Sequence, residues 1–366
     1  MHTRKLVHNN MALKRYAVAI VGATGAVGTE MLRVLQERRF PVGRLCLLAS
    51  ERSEGKRLRV HGTTCRVERL EGRRFNGVDV ALFSAGAARS LEFAPEAVKR
   101  GAVVVDNSSA FRMKDGVPLV VPEVNPHALA RHHGLVANPN CSTIILLVAL
   151  KPLHDAARIK RLIVSTYQSV SGAGAKAMAQ LYEETKRVLR QFKVQSGKFE
   201  VKAKLRTLNF ELRTVLPAQI AFNVIPQVDV FLENRSTKEE MKMVNETRKI
   251  LEEPRLAISA TCVRVPVFVA HSEAVWIETQ RPLSPARARG LLKRAPGVRL
   301  VDDAGPGGYP QPIHAAGRDE VLVGRIRADE SVKHGLALWV SGDNLRKGAA
   351  TNAVQIAELL ITREKQ

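Results

Sequence analysis

Tyr16-Ala-Val-Ala-Ile-Val21-Gly22-Ala-Thr-Gly25-Ala-Val-Gly28 decides the fold of the first half of the chain. Residues 16–21 form a short, nearly continuous apolar run, the pattern of a strand buried on both faces of a parallel sheet. Three glycines spaced three apart follow, and apolar Val27, Met31, Val34 and Leu35 then recur at helical spacing. A strand, a G-x-x-G-x-x-G loop and a helix in that order form a dinucleotide-binding unit. Gly22 allows the tight turn, Gly25 lets a pyrophosphate approach the backbone at the helix N-terminus, and Gly28 lets the helix pack against the strand.

Working outward, Leu45–Ala49 reads as a second strand ending in Ser50-Glu51-Arg52-Ser53. An NAD site places an acidic residue here against the ribose hydroxyls, and Glu51 could serve. Arg52 between two serines suits a 2′-phosphate instead, because a guanidinium and hydroxyls match a phosphate. The reading favours NADP. Val78–Phe83 leads into Ser84-Ala85-Gly86, and Ala102–Val105 leads into Asp106-Asn107-Ser108-Ser109. Strands that alternate with helices and end in small polar residues describe a doubly wound sheet with ligands at the strand carboxyl ends.

Cys141 follows Ala137-Asn-Pro-Asn140 and precedes Ser142-Thr143 and the apolar run Ile144–Leu150. Pro139 stops a helix ahead of it, and capping side chains surround it, which puts Cys141 at a helix start. The helix dipole and free amides there are expected to lower the thiol pKa and supply a thiolate nucleophile. Cys46, Cys65 and Cys262 read as small buried hydrophobes.

The chain has 366 residues, enough for two cores, with 45% apolar and 25% charged residues, which is ordinary for a globular protein. Four cysteines without paired spacing exclude a disulfide framework and fit a reducing compartment. No apolar run reaches the roughly 20 residues needed to span a bilayer. Residues 1–14 read as a basic disordered arm without the apolar stretch of a signal peptide. A net charge of +22 raises the possibility of nucleic-acid binding. The charge is dispersed, however, aromatics are only 5%, and no nucleic-acid motif occurs, so it reads mainly as a solvated basic surface.

The second half changes character. Ile159–Tyr167 reads as a strand ending in a polar, glycine-rich turn, Lys176–Arg190 as a helix, and the following stretch to about Thr207 as polar and basic. Lys238–Glu252 reads as an amphipathic helix with Met241, Val244 and Ile250 on its apolar side. Thr261–Val269, His271–Thr279 and Leu336–Ser341 are β-rich, and Asn344–Ile361 is helical. The expected architecture is α/β: an N-terminal Rossmann-type doubly wound sheet plus an α+β domain with a largely antiparallel sheet. The nucleotide-binding domain is expected over 15–141, completed by a helix over 344–366, with the second domain over 142–343.

Five further segments carry a resemblance. They are Asn107-Ser-Ser-Ala-Phe-Arg112, Asn138-Pro-Asn-Cys-Ser-Thr143, Gln168-Ser-Val-Ser-Gly-Ala-Gly174, Arg264-Val-Pro-Val267 with His271-Ser-Glu273, and Gly342-Asp-Asn-Leu-Arg-Lys-Gly-Ala-Ala-Thr-Asn352. With the glycine loop, and in this order over essentially the whole chain beyond Lys14, they resemble bacterial aspartate-β-semialdehyde dehydrogenases. The resemblance implies NADPH-dependent conversion of L-4-aspartyl phosphate to L-aspartate 4-semialdehyde and phosphate, on the route to lysine, threonine, methionine and diaminopimelate. It implies a cytoplasmic homodimer or dimer of dimers and no metal.

The resemblance also implies residue roles. Cys141 is the nucleophile, and its N–H, with Asn140, stabilises the oxyanion. His271 is the acid/base, a task that suits an imidazole with an ordinary pKa of about 6.5. Gln168 orients the substrate, Arg264 grips its α-carboxylate, Arg112 and Lys242 bind phosphate, and Glu239 positions the amine. For the cofactor the matching positions are Gly22, Thr24, Gly25, Ala26, Val27, Gly28, Ser50, Arg52, Ser171, Gly172 and Asn344. His314 departs from the family pattern.

Arg264 and His271 are an odd number of residues apart, so one unbroken strand would point them to opposite faces, and a bend at Pro266 is expected. Two other functions compete. N-acetyl-γ-glutamyl-phosphate reductase uses the same logic, but its cysteine motif typically reads Pro-Gly-Cys-Tyr. A non-catalytic nucleotide- or nucleic-acid-binding protein is argued against by Cys141, Gln168, Arg264 and His271 occurring together.

Overall fold

The computed structural model describes residues 14–60, 62–190, 192–195, 198–201 and 215–363. Residues 1–13 of the expected arm, part of the basic stretch that runs to about Thr207, and the last three residues lie outside them. The quoted stretch forms β1 (Tyr16–Val21) and α1 (Ala26–Glu37). After them come β2 (Val42–Ala49), β3 (Arg57–Val60), β4 (Thr63–Arg69), β5 (Val80–Phe83), α2 (Ala87–Lys99), β6 (Val103–Asp106) and β7 (Leu135–Ala137). These strands make a seven-stranded sheet in the order β3-β4-β2-β1-β5-β6-β7, parallel except for the β3–β4 edge pair. Strand order reverses at β1, between β2 and β5, so the loops after β1 and β5 meet there and form a crevice at the strand carboxyl ends.

Helix α3 (Cys141–Ala157) leaves this sheet after β7. It carries apolar residues all round, and Ile144 to Leu150 are all buried. The apolar run is a core helix because the second sheet covers it. Next come β8 (Ile159–Gln168), α4 (Ala175–Leu189), β9 (Phe192–Gln195), β10 (Lys198–Val201), α5 (Lys238–Leu251), β11 (Ala257–Arg264) and β12 (His271–Thr279). The chain finishes with α6 (Pro285–Leu292), β13 (Val298–Leu300), α7 (Pro312–Ala315), β14 (Val321–Asp329), β15 (Gly335–Gly342) and α8 (Thr351–Arg363). The second sheet runs β11-β8-β12-β15-β14-β13. Its central pairs are antiparallel, while β11–β8 and β13–β14 at the edges are parallel.

Three local expectations change. The strand expected over Thr261–Val269 begins at Ala257 and stops at Arg264, where Pro266 removes a ladder donor. The helix expected from Asn344 opens with a π-turn over Arg346–Ala350 and becomes α-helical only at Thr351. On α5 the buried apolar side is Met243, Val244 and Ile250, with Met241 only half-buried, because Met243 and Ile250 share a face seven residues apart. Helix α8 packs its Ala353, Val354, Ile356 and Ala357 into the core of the first sheet, beside Val18 and Ile20.

Candidate active site

The second sheet brings three side chains to one edge. Parallel pairing sets Arg264, the last residue of β11, beside Gln168, the last of β8. Antiparallel pairing sets Ser272 of β12 beside Tyr167, so His271 begins its strand at that same edge. Strand β8 therefore lies between the two residues whose odd spacing posed a problem, and each belongs to its own strand. The connection bends at Pro266, where Val267 N–H donates to Val265 O at 2.8 Å across a three-residue turn. It re-enters the sheet through Ala270, which has φ +73.

Helix α3 starts directly over this edge. Asn140 caps it, with Oδ1 accepting from Ser142 N at 3.0 Å and Thr143 N at 3.3 Å. Its Nδ2 donates to Glu239 Oε1 at 2.8 Å and its backbone N to Glu246 Oε2 at 2.6 Å. Cys141 Sγ then stands 3.3 Å from His271 Nε2. Gly348 must be glycine for this packing, since a Cβ there would lie 2.9 Å from Cys141 Cβ. The expected lowering of the thiol pKa does not hold in this structure. Burial pushes the Cys141 thiol up to about 12, the Glu239 carboxylate adds to the rise, and Arg112 and Arg264 only partly oppose it. The Asn140 cap also draws on the Ser142 and Thr143 amides, and the Ser142 N–H offsets the rise of the thiol pKa only in part.

Helix α5 supplies the charged wall. Glu239, Lys242 and Glu246 recur at i, i+3 and i+7, so they share one face. Lys242 Nζ donates to Asp229 Oδ2 at 2.8 Å and to Glu239 Oε2 at 3.0 Å, and these carboxylates raise its pKa against burial. Gln168 Nε2 donates to Ser142 Oγ at 2.9 Å and to Glu239 Oε1 at 3.3 Å. Arg112 is buried and donates to Glu246 Oε1 at 3.0 Å, Asn138 O at 3.0 Å and Asn107 O at 2.7 Å. Its guanidinium is thus largely engaged in holding the site's frame. Arg264 is freer: Nη1 donates to Ser169 O at 2.7 Å, while Nε is buried without a partner. Both carboxyl oxygens of Glu273 are also buried without a partner, and burial holds that carboxyl well above the usual carboxylate range.

A cavity of about 730 Å³ is lined by Cys141, Gln168, Arg112, Glu239, Lys242 and Arg264, and also by Asn140, Val27, Ser171, Gly172 and Asn344. A second, of about 680 Å³, is lined by Gly22, Thr24, Gly25, Ser50, Glu51 and Arg52, and Ser84 borders both. Ala26 and Gly28 line neither. Gly28 is packed so that a Cβ would meet Gly22 O at 2.2 Å, and a Cβ on Gly22, at φ +90, would meet Ser84 O at 2.4 Å. Helix α1 begins after Gly25 with no side-chain cap, which leaves its first amides for an anion. Glu51 is drawn toward Arg69 at 3.3 Å, and Arg52 stands beside it. The residues present fit a dinucleotide lying across the two cavities. His314 is exposed on α7, away from both linings.

Sequence reasoning missed four residues of the site. Glu246 and Asp229 tether residues of the wall, Gly348 makes room for Cys141, and Ser169 contacts His271. Glu246 left a signal in its helical spacing from Glu239, and Ser169 and Gly348 lie within quoted motifs that gave them no role.

Residues 17–132 match the family model described as semialdehyde dehydrogenase, NAD binding domain. Residues 150–347 match the semialdehyde dehydrogenase, dimerisation domain. The chain is 54% identical over 349 residues to the aspartate-semialdehyde dehydrogenase of Aquifex aeolicus, covering 94% of this chain and 98% of that one. It is 49% identical over 344 residues to that of Bacillus subtilis, covering 94% and 96%. The crystal structure of aspartate semialdehyde dehydrogenase II from Vibrio cholerae, complexed with ASA, superposes with a TM-score of 0.87 at 49% identity, covering 95% of this chain and 99% of that one. With matches along nearly its full length and a cysteine–histidine pair at the meeting point of its two sheets, the chain belongs to the aspartate-semialdehyde dehydrogenase family.

Proposed function

We propose that this protein reductively dephosphorylates L-4-aspartyl phosphate to L-aspartate 4-semialdehyde and phosphate through a thioester on Cys141, a step toward lysine, threonine, methionine and diaminopimelate. The observation that carries this reading is Cys141 Sγ at 3.3 Å from His271 Nε2, in a cavity that also holds Arg264, Gln168 and Glu239. Sulfur attacks the acyl carbon, and the Cys141 N–H at the helix start offers a donor to the oxyanion. Arg264, with a buried unpartnered Nε, suits a planar α-carboxylate, and Glu239 suits the α-amine. Lys242 and Arg112 supply positive charge for the phosphate, Lys242 from its pairing with Asp229 and Glu239 and Arg112 from its pairing with Glu246 and two carbonyls. Gln168 orients the acyl group.

NADPH supplies the hydride when bound. Gly22, Thr24, Gly25 and Val27 would cradle its pyrophosphate, with Ala26 and Gly28 shaping the turn. Ser50 and Arg52 would take the 2′-phosphate, and Ser171, Gly172 and Asn344 border the cavity nearer Cys141. Among the described residues no helix is long and apolar enough to cross a membrane. The protein is read as a cytoplasmic enzyme that assembles as a homodimer or a dimer of dimers. The deciding assay is NADP reduction with phosphate and either L-aspartate 4-semialdehyde or N-acetylglutamate semialdehyde. Turnover of the first alone is expected, and preference for the second would overturn the substrate assignment.

A further inference from the structure

Three carboxylates of the cavity wall pair with the two cations assigned to phosphate, and they are anchored to different degrees. Glu246 takes Arg112 and the backbone N–H of Asn140. Glu239 takes Lys242, Asn140 Nδ2 and Gln168 Nε2. Their side chains are only 2% and 7% exposed. Moving either one would break other buried hydrogen bonds and leave a charge without its partner. Asp229 differs. Its side chain is 32% exposed, and among the described residues its Oδ2 accepts from Lys242 Nζ alone, at 2.8 Å. Its Oδ1 accepts from the adjacent Val230 N at 2.9 Å, a contact within its own turn of chain.

The surrounding backbone lets this side chain turn while the chain stays in place. Ile225 exchanges two backbone hydrogen bonds with Arg264, at 2.9 and 2.8 Å, and Val230 O accepts from Lys238 N at 2.8 Å. The segment is therefore tied to the end of β11 on one side of Asp229 and to the start of α5 on the other. Asp229 itself has φ +70, a left-handed conformation that most side chains avoid and that Asp tolerates better than most. It lines the same cavity as Lys242. Burial opposes its charge, but the Lys242 ammonium holds its carboxyl below the usual carboxylate range, so it is an anion at neutral pH. A phosphate that reaches Lys242 meets a carboxylate already in place, and two anions on one ammonium repel each other.

We propose that Asp229 is the resident counter-ion of the phosphate subsite: it pairs with Lys242 when the subsite is empty and turns away when phosphate arrives, so that binding exchanges one anion for another on the same ammonium. The inference rests on the acyl-phosphate reading above. An anion must displace a tethered carboxylate to reach Lys242, which favours doubly charged phosphate over singly charged anions. As phosphate leaves, Asp229 recovers Lys242 and opposes rebinding.

Asp229→Asn keeps an oxygen for Lys242, removes the charge and suits the same φ. In NADP reduction with L-aspartate 4-semialdehyde, this variant should lower the KM for phosphate by roughly three- to tenfold, the factor for one screened unit-charge repulsion a few ångströms away. The KM for the aldehyde should stay at its wild-type value. A side chain that merely braced the wall would move both constants together or raise them, so an unchanged or higher phosphate KM overturns the proposal. Nitrate, which carries one charge, should compete with phosphate more effectively in Asp229→Asn than in wild type, and equal competition counts against the exchange. Calorimetric titration of inorganic phosphate into each protein alone should show the same tightening without turnover. A crystal structure of the wild-type protein with phosphate on Lys242 needs no variant, and Asp229 Oδ2 should there lie out of hydrogen-bond reach of Nζ. Persistence of that contact beside bound phosphate sinks the idea. Wild-type protein that binds phosphate but is inert toward L-aspartate 4-semialdehyde would instead overturn the function reading, while the calorimetric and structural arms still judge Asp229.

Discussion

Helices α1 and α3 both leave the carboxyl edge of the first sheet, and their first turns are built in opposite ways. Helix α1 follows β1 through Gly25, with no side chain on its leading amides. Helix α3 follows β7 through Asn140, whose side chain takes the amides of Ser142 and Thr143 and which is itself tied to Glu239 and Glu246. The first turn is an anion site made by leaving backbone groups unsatisfied. The second satisfies them internally, so the chemistry of Cys141 is governed by side chains gathered from α5, β8, β11 and β12. An open helix start binds charge with the backbone alone. A capped one holds a side chain in place and leaves its reactivity to the neighbours.

That contrast can be broken most sharply at Cys141. Cys141→Ser should lower turnover by about 10³-fold or more while leaving NADPH affinity nearly intact, because a hydroxyl without a strong base is a poor nucleophile. Retention of more than a tenth of the wild-type rate would mean that no thioester forms. The thiol in the ligand-free protein should also be unreactive. With its pKa pushed up to about 12, its thiolate fraction is small at neutral pH and keeps growing as pH rises toward that value. Alkylation by iodoacetamide, located by mass spectrometry, should therefore run roughly a thousandfold slower at pH 7.5 than for a free cysteine and still be climbing above pH 9. A plateau near pH 7 would show that the start of α3 does act like an open one.

The open turn has its own tests. Gly22→Ala places a Cβ 2.4 Å from Ser84 O at a backbone angle of φ +90, so the loop must shift. A loss of stability of about 1–3 kcal/mol and of measurable cofactor binding is expected, with alkylation of Cys141 unchanged. Unchanged NADPH binding by titration would mean that the loop does not hold the pyrophosphate. Arg52→Ala should weaken NADPH by about 1.5–3 kcal/mol and NADH much less, since only the former carries the 2′-phosphate. Equal weakening would reassign Arg52 to the turn and leave cofactor choice to Glu51. The smallest effect is expected at the cap. Asn140→Ala should cost about 0.5–2 kcal/mol in thermal or denaturant unfolding, the usual value of an N-cap. No measurable loss would show that Pro139 and the buried run after Cys141 position the helix unaided.

The two turns also differ in how far they could be read ahead of the structure. The glycine loop is local. Its strand, turn and helix are contiguous, and each glycine answers a steric demand within a few residues or from the adjacent β5 loop. Cys141 and the N-cap were legible for the same reason. The mistaken expectation of a low thiol pKa came from treating the helix start as if it stood alone. Arg112 and Lys242 were marked as phosphate ligands by their motif, but their engagement with Glu246, Asp229 and Glu239 depends on how α5 packs against α3.

By itself, then, the sequence determined what depends on neighbours along the chain: the dinucleotide-binding turn, the buried character of α3, the cap before Cys141, and through its motifs the family. Tertiary structure decided what depends on neighbours in space. Pairing of β11 and β12 on either side of β8 placed Arg264 and His271 at one edge despite their odd spacing, and it put Ser169 against Nδ1 of His271. A seven-residue interval records neither which strand lies between its ends nor which groups are buried beside them. Desolvation, which pushes the Cys141 pKa up and the His271 pKa down, arises only once those surfaces have closed.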